Sequence, residues 1–415
     1  MSSLLAQQPA TSGRGSGPRR VAILGCGTVG REVAARLLET GERLGLEVVA
    51  ILVRDAARDR GLPPSLFTAS IAEVEATAPD LVVELIGGVD VAGALAERFL
   101  ANGVPVVTAN KTLIAHRGPA LAALAAESGT EIAFEASVCA AIPIIAALRH
   151  LAGDRVLSIR GVVNGSCNFI LSRLNEGWRS EDALAEARKR GLVEPDPSAD
   201  ISGRDSAEKL CVLAAAIGVP LAPDRIQTRG IESLTPDDLL AARRSGQTIK
   251  LLAELDVADG TPLARVGPAL LPRSHPLAQA EDEENAVAVV SVLGGELVLR
   301  GRGAGPRPTA SAVLGDVVRL ARLSRAKPGE RMCPSGPAAW PAQRHSIRLS
   351  GPTPDPTTLG EALREQGVEA EEVAVNRDAT RILTEPATPG AAAACGESLS
   401  RTRRTGPALV MPVLG

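Results

Sequence analysis

The stretch RVAILGCGTVG, residues 20–30, carries a short apolar run into a glycine-rich turn and then into a helical pattern. Its glycines have the spacing Gly25-x-Gly27-x-x-Gly30. In this context the first glycine makes a tight turn, the second lets the backbone approach a pyrophosphate, and the third lets the helix pack on the strand. The positive end of that helix faces the phosphates. The stretch therefore predicts a Rossmann-type domain that binds a dinucleotide.

Strand and helix patterns continue to alternate beyond this loop. Four further apolar runs are separated by helical segments, at residues 47–53, 81–86, 104–108 and 131–135. Continuous apolar runs are typical of parallel strands that are covered on both faces. We therefore predict an α/β fold, with the Rossmann-type domain over residues 19–142.

The rest of the chain predicts two more units. Long helical segments and alternating runs over residues 143–300 indicate an α+β substrate and dimerisation domain, and a helix in 301–325 returns to complete the first domain. A Pro/Gly-rich linker follows at 326–343, and residues 344–415 have the pattern βαββαβ. Residues 1–18 lack apolar periodicity, so we expect a disordered tail.

Composition excludes several classes of protein. The 415 residues carry a net charge of -3, and no apolar run reaches the roughly 20 residues of a membrane span. Six cysteines at scattered positions indicate neither a disulfide framework nor a zinc site. We expect a cytoplasmic enzyme that acts on a small molecule and binds neither nucleic acid nor membrane.

The residues after the second strand bear on the choice of cofactor. Arg54 follows Val53 directly, and Asp55 comes next. An arginine at this strand end suits the 2′-phosphate of NADP, whereas an acid suits the ribose hydroxyls of NAD. Arg54 favours NADP, and Asp55 leaves NAD open.

Retained lysines mark the candidate chemistry, because the chain has only five against forty arginines. Lys111 follows the predicted strand at residues 104–108, at the carboxyl end where parallel sheets bind ligands. Asp205 and Lys209 are four residues apart and share a helix face, and Glu194 lies on the preceding loop. Two carboxylates can hold an ammonium group while a lysine protonates a carbonyl oxygen. The spacing alone fits an exposed ion pair, worth about 0.3–0.5 kcal/mol, equally well.

An ordered set of segments resembles the homoserine dehydrogenases over about residues 20–322. The set is AILGCGTVG, VVELIGG, TANKTLIA, FEASVCAAIPII, GVVNGSCNFIL, GLVEPDPSADISGRDSAEKL, IKLLAEL, HPLA and GRGAGPRPTASAVLGDVV. The resemblance implies NAD(P)H-dependent interconversion of L-aspartate 4-semialdehyde and L-homoserine, on the route to threonine and methionine. It implies that Lys209 is the proton donor, that Lys111 is a second catalytic lysine touching cofactor and substrate, and that Glu194 and Asp205 bind the substrate.

The same resemblance implies the remaining site residues. The expected cofactor contacts are Gly25, Gly27, Thr28, Val29, Gly30, Arg54, Gly87, Lys111, Gly191 and Gly305. A structural monovalent cation, Na⁺ or K⁺, is expected at Glu135 and the main chain of Val138, Ala140 and Ile142. Where the family tends to have glycines, this chain has Cys139-Ala140-Ala141. A nucleophilic, aldehyde-oxidising Cys139 is the disfavoured alternative, because the sequence places no base beside it.

The C-terminal unit resembles an ACT regulatory domain. The resemblance implies a threonine effector site, but the usual acid–small–Pro–Gly turn is replaced by GPTPDPTTL from Gly351, which argues against it. A homodimer or homotetramer through the middle domain is also implied. Two alternatives stay open: another NADP-dependent dehydrogenase of amino-acid metabolism, and a catalytically weak paralogue that acts as an amino-acid-responsive regulatory protein.

Overall fold

The computed structural model describes residues 18–193, 196–257, 261–322, 344–350, 356–375, 379–403 and 408–413. The expected tail up to residue 17, the expected linker 326–343 and Glu194 lie outside these residues. Within the described residues the strands form three sheets. No helix in this part of the chain is long and apolar enough to cross a membrane.

The first sheet has six parallel strands in the order β3-β2-β1-β4-β5-β6. Its strands are β1 Arg19–Leu24, β2 Leu46–Leu52, β3 Phe67–Thr68, β4 Leu81–Glu84, β5 Val106–Thr108 and β6 Ile132–Ala133. Its helices are α1 Thr28–Leu44, α2 Ile71–Ala76, α3 Asp90–Ala101 and α4 Lys111–Glu127. This order reverses between β1 and β4, which is where Rossmann sheets open a binding crevice.

Strand β1 shows why this sheet is covered on both faces. Val21 and Ile23 belong to one buried cluster, and Ala22 and Leu24 belong to another. Successive side chains of a strand point to opposite faces, so both faces must be packed when all four are buried. The continuous apolar run therefore reflects a central parallel strand.

Two strands of this sheet end two residues earlier than the sequence predicted. Strand β4 ends at Glu84, because the Glu84 carboxylate accepts hydrogen bonds from the N–H groups of Ile86 and Gly87 and closes a turn. Strand β6 ends at Ala133, and a single helical turn follows at Glu135–Ser137. The sequence predicted longer strands because apolar residues continue into these turns.

The second sheet is mixed and has the order β12-β11-β7-β9-β10-β8. Its strands are β7 Val156–Val162, β8 Gln227–Thr228, β9 Gln247–Asp256, β10 Leu263–Pro272, β11 Glu284–Ser291 and β12 Gly295–Arg302. The helices of this part are α5 Ile144–His150, α6 Gly165–Asn175, α7 Ser180–Lys189, α8 Ser198–Ile201, α9 Arg204–Ala216 and α10 Pro236–Arg244. Helix α11, Pro306–Arg322, then returns to the first sheet and packs Val313 and Val317 against its buried side chains.

The third sheet is antiparallel, with the order β14-β15-β13-β16. Its elements follow the predicted βαββαβ pattern: β13 His345–Ser350, α12 Pro356–Glu365, β14 Ala370–Val375, β15 Ala379–Thr384, α13 Pro389–Arg403 and β16 Leu409–Pro412. The predicted fold class is therefore confirmed.

The third sheet is attached to the middle of the chain by a buried ion-pair cluster. Asp238 is 2% exposed and lies in the first turn of α10, where it forms a capping box with Thr235. Its Oδ1 lies 2.9 Å from Arg348 Nε and 2.9 Å from Arg381 Nη2, both of the third sheet. One buried carboxylate thus joins two units.

Candidate active site

A cleft of about 390 Å³ opens at the carboxyl ends of β4 and β5. Its walls come from the loops after these strands, the segment before α5, helix α9 and the loop before α11. The lining residues are Gly87, Gly88, Ala109, Asn110, Lys111, Thr112, Ala136, Ser137, Val138, Cys139, Ala140, Asp205, Lys209, Gly303, Ala304, Gly305 and Thr309. The cleft lies where a doubly wound sheet binds its ligands.

The glycine loop has the geometry that a dinucleotide requires. Gly25 has φ 100°, and a β carbon there would lie 2.6 Å from the carbonyl oxygen of Leu85. A β carbon at Gly30 would lie 2.3 Å from the carbonyl oxygen of Gly25, so only glycine lets α1 approach β1 this closely. A β carbon at Gly27 would meet nothing within 4 Å, which leaves open space before α1. The loop therefore fits a pyrophosphate at the helix N-terminus.

Lys209 and Asp205 form a largely buried pair on α9. Lys209 Nζ donates to Asp205 Oδ2 at 2.7 Å and to the carbonyl oxygen of Val163 at 2.8 Å. Burial alone would lower the pKa of Lys209, but the Asp205 carboxylate outweighs burial and raises that pKa above its usual value. Burial likewise opposes ionisation of Asp205, yet Lys209 and Lys111 hold its pKa below the usual range. The pair is ionised at neutral pH and, unlike an exposed helical ion pair, it is largely buried.

Asn164 fixes the other side of this carboxylate. Its side chain caps α6 by accepting from the N–H of Cys167, and its Nδ2 donates to Asp205 Oδ2 and to Asp200 Oδ1, each at 2.7 Å. Burial raises the pKa of Asp200, partly offset by the Asn164 hydrogen bond. One amide thus ties α6, α8 and α9 together beneath the cleft.

Lys111 reaches the same carboxylate from the first sheet. It is the first residue of α4, and its Nζ lies 3.5 Å from Asp205 Oδ1 and 3.8 Å from Glu208 Oε2. Asp205 therefore lies between two lysines. The structure brings together Lys111, Asp205 and Lys209, as the sequence suggested, whereas Glu194 lies outside the described residues.

Of the remaining expected cofactor contacts, two glycines line the cleft, whereas Arg54 and Gly191 do not. Gly87, with φ 82°, and Gly305, with φ 112°, line the cleft beside Lys111. Arg54 follows β2 with an exposed side chain. Gly191 has φ 70° and ends α7, and it is not among the residues that line the cleft. The left-handed conformation that ends α7 explains why a glycine occupies position 191.

Glu135 begins the single helical turn after β6, and its carboxylate lies at the start of α5. Its Oε1 and Oε2 accept from the N–H groups of Ile145 and Ala146 at 2.7 and 2.8 Å, and Arg149 Nη2 lies 3.7 Å from Oε2. Burial raises the pKa of Glu135, although these N–H groups favour its charged form. The carboxylate therefore anchors the segment that leads from β6 to α5.

Two residues of that segment have a backbone conformation that favours glycine. Cys139 has φ 53° and Ala140 has φ 36°. Each left-handed non-glycine residue carries roughly 1–2 kcal/mol of strain. Burial raises the pKa of Cys139 to about 11, so its thiol is protonated at neutral pH. A protonated thiol is a poor nucleophile, which argues against the aldehyde-oxidising alternative.

Several polar residues of the site were missed by the sequence analysis. Asn164, Asp200 and Glu208 lie within segments that it singled out, but their spacing did not show that they meet. Asn285 lies 1% exposed in β11, and its Nδ2 donates to the carbonyl oxygen of Val163 at 3.0 Å. A single amide in an alternating strand gives no sequence signal.

Known proteins match this chain over both of its larger units. The sequence profile described as homoserine dehydrogenase matches residues 143–318, and that of the homoserine dehydrogenase NAD binding domain matches residues 25–135. The homoserine dehydrogenase of Corynebacterium glutamicum is 42% identical over 318 residues, which cover 73% of this chain and 72% of that protein. The homoserine dehydrogenase of Mycobacterium leprae is 43% identical over 317 residues, covering 73% and 72%.

Solved structures give the same result. A homoserine dehydrogenase from Thiobacillus denitrificans superposes with a TM-score of 0.87 and 31% identity, covering 96% of this chain and 98% of that one. A hyperthermophilic archaeal homoserine dehydrogenase in complex with NADPH superposes with a TM-score of 0.63 and 31% identity, covering 73% and 97%.

The glycine loop, the parallel sheet and the cleft with its paired lysine define a nicotinamide-dependent oxidoreductase that acts on a CH–OH group. The matches make the assignment specific. The chain belongs to the homoserine dehydrogenase family, as the ordered segments predicted. None of these matches favours the regulatory-paralogue alternative.

Proposed function

We propose that in this homoserine dehydrogenase Lys209 protonates the aldehyde oxygen of L-aspartate 4-semialdehyde as L-homoserine forms. The observation that carries the assignment is the buried ion pair of Lys209 and Asp205 on the cleft wall, 2.7 Å apart. The Lys209 ammonium has three N–H groups. Among the described residues Asp205 and Val163 accept two of them, which leaves the third for a substrate oxygen.

The reaction requires a proton at this point. When bound, the reduced nicotinamide supplies a hydride to the carbonyl carbon, and negative charge develops on the oxygen. An alkoxide is far more basic than an amine, so Lys209 transfers its proton readily in spite of a raised pKa. The Val163 carbonyl and Asp205 hold the ammonium in one place, so little reorganisation is needed.

Substrate binding follows from the remaining lone pairs of Asp205. Its Oδ2 is taken by Lys209 and Asn164, while Oδ1 faces Lys111 at 3.5 Å. We assign the substrate ammonium to Oδ1, with the carboxylate of Glu194 as its second partner. Lys111 stands at the junction of substrate and cofactor as the second catalytic lysine.

We propose NADP as the preferred cofactor, with NAD as the weaker one. Gly25, Gly27 and Gly30, with Thr28 and Val29 in the first turn of α1, would hold the pyrophosphate. The nicotinamide end would lie by Gly87 and Gly305, which line the cleft, whereas a contact of Gly191 with the cofactor stays a prediction from the resemblance alone. The exposed guanidinium of Arg54 at the end of β2 would pair with the 2′-phosphate.

A monovalent cation is proposed beneath the cleft wall. Its ligands would be the Glu135 carboxylate and the main-chain carbonyls of Val138, Ala140 and Ile142. The left-handed conformations of Cys139 and Ala140 support this proposal, because local strain persists where bound groups or packing stabilise it. Sodium or potassium suits such hard oxygen ligands, and its role would be structural.

Assembly, regulation and location are proposed from the fold. Strand β12 is an edge strand of the second sheet among the described residues, and Leu293 beside it is 82% exposed, which supports a homodimer or homotetramer through this sheet. The βαββαβ order of the third unit supports an ACT-like domain with threonine as its candidate effector, although residues 351–355 lie outside the described part. We propose a cytoplasmic location.

Replacing Lys209 by alanine tests the assignment of the proton donor. Turnover of aspartate semialdehyde should fall about 10²-fold or more. Binding of NADPH, followed by its fluorescence, should persist. Lys189→Ala is the matched control, since the Lys189 side chain is 81% exposed on α7. Near-normal turnover of Lys209→Ala would show that the proton comes from elsewhere.

A further inference from the structure

The carbonyl of Val163 accepts two hydrogen bonds just after β7. One comes from Lys209 Nζ at 2.8 Å and the other from Asn285 Nδ2 at 3.0 Å. Because both nitrogens contact the same oxygen, they lie within about 6 Å of each other, close enough for each to affect the other. The peptide that holds the proposed proton donor is therefore itself held by Asn285.

The surroundings of Asn285 fix its amide firmly. It is 1% exposed in β11, and its Nδ2 also lies 3.6 Å from Cys139 Sγ. A β carbon at Gly303 would lie 2.0 Å from Asn285 Cγ, so glycine is required where the amide packs against the cleft wall. With two acceptors beside Nδ2, the orientation of the amide is defined.

The amide is not arranged for stability alone. Its Oδ1 is buried and has no hydrogen-bond partner among the described residues. Asn168, which is equally buried, is fully used: its Nδ2 donates to the carbonyls of Ala280 and Glu284, and its Oδ1 accepts from Lys250 Nζ. Buried polar groups that leave an atom unpaired call for an explanation other than packing.

We propose that Asn285 is a positioning residue for catalysis: it fixes the Val163 carbonyl, and through that carbonyl the ammonium of Lys209. This inference rests on the proposed role of Lys209. Without Asn285 the carbonyl can turn away, and Lys209 loses an acceptor that stabilises its charged form. A misplaced donor then lowers the rate of the chemical step more than substrate binding.

The charge environment of Lys209 sets the sign of the test. Asp205 on the same helix and Asp200 on α8 favour the protonated lysine. Cys139 also faces Lys209, with its thiol protonated at neutral pH. Lys111 on α4 faces the far oxygen of Asp205. In Asn285→Leu the Val163 carbonyl is no longer held in place, so burial lowers the pKa of Lys209. In Asn285→Asp the added carboxylate favours the protonated form of Lys209.

The experiment compares Asn285→Leu and Asn285→Asp with the wild type, measuring kcat and KM for aldehyde reduction from neutral pH to about pH 10.5. We expect kcat to fall about tenfold or more in both variants. In each variant the KM values for the aldehyde and for NADPH should stay within about threefold of the wild type. The alkaline loss of kcat should begin at lower pH in Asn285→Leu. In Asn285→Asp it should begin no earlier than in the wild type, in which the pKa of Lys209 stays raised.

Asn168→Asp is the control for disturbing a buried asparagine near β11. It should lower thermal stability but leave the pH dependence of kcat unchanged. Wild-type kcat and pH dependence in both Asn285 variants would overturn the inference, as would raised KM values with unchanged kcat. If Asn285→Leu fails to fold, the isosteric Asn285→Asp decides the question: a lower kcat with unchanged KM values supports the inference, and any other result overturns it. The proposed function fails separately, since it fails only if Lys209→Ala keeps its turnover.

Discussion

Replacing Gly27 by alanine should weaken cofactor binding roughly 10- to 100-fold while leaving the fold intact. The three glycines of the loop differ in what an added methyl group would meet. At Gly30 it would meet the backbone oxygen of Gly25 at 2.3 Å, whereas at Gly27 it would meet nothing within 4 Å. The space at Gly27 is therefore reserved for a ligand in our reading, and the space at Gly30 is needed by the protein itself.

The expected magnitudes follow from this geometry. Gly27 has φ -77°, which alanine adopts freely, so Gly27→Ala gains about 0.4–1 kcal/mol from the less flexible unfolded chain. Gly27 is also the N-cap of α1, where alanine is less favourable than glycine by a few tenths of a kcal/mol or more. The two terms nearly cancel. A methyl group at the pyrophosphate position would break one charge-assisted hydrogen bond, worth about 1.5–3 kcal/mol, which raises the Kd for NADPH roughly 10- to 100-fold.

Gly30→Ala is the matched comparison. Its methyl group would collide with rigid backbone, so α1 must move away from β1 at a cost of about 1–3 kcal/mol in the free energy of unfolding. Urea denaturation and NADPH fluorescence titration of both variants separate the two effects. The reasoning is refuted if Gly27→Ala binds NADPH as the wild type does, or if it is destabilised as much as Gly30→Ala.

Three further substitutions test other parts of the molecule. Arg54→Ser should raise the KM for NADPH about tenfold with little change for NADH in parallel steady-state assays, and equal changes would remove Arg54 from 2′-phosphate recognition. Asp205→Asn removes the group that most strongly opposes the effect of burial on Lys209, so the pKa of Lys209 falls and the alkaline loss of kcat for aldehyde reduction moves to lower pH; an unmoved pH profile would contradict the pairing. Asp238→Asn leaves two arginines poorly paired and should lower the free energy of unfolding by about 3 kcal/mol, whereas a loss below about 1 kcal/mol in urea denaturation would mean that the cluster does not hold the third sheet.

The parts of the site that sequence predicted are local in the chain. The glycine loop is readable because its three constraints lie within six positions, between a strand and a helix. Asp205 and Lys209 are readable because a helix places positions four apart on one face. In both cases the geometry follows from one element, and the rest of the fold was not needed.

The parts that sequence missed depend on contacts between distant segments. Asn164 meets Asp205 across 41 positions, and Asn285 meets the Val163 carbonyl across 122. Neither spacing has a periodicity to detect. The end of β4 was missed for a related reason. The Glu84 carboxylate accepts hydrogen bonds from the N–H groups of Ile86 and Gly87, so the strand ends at Glu84. A side chain that hydrogen-bonds to main-chain groups can thus end a strand even where the apolar sequence pattern continues.

The ionisation of the central pair bears on the direction of the reaction. A raised pKa keeps Lys209 protonated at neutral pH, which is the form that reduction of an aldehyde requires. Oxidation of an alcohol requires the neutral lysine as a base, and this form becomes populated only as the pH rises toward the raised pKa. The same raised pKa makes the Lys209–Asp205 pair stabilise the folded protein in a pH-dependent way. This stabilisation is complete below the ordinary pKa of lysine and is lost as the pH rises through the raised pKa. With Lys209 as the proton donor that we propose, we therefore expect Asp205 to favour aldehyde reduction at neutral pH and to confine efficient alcohol oxidation to alkaline solution.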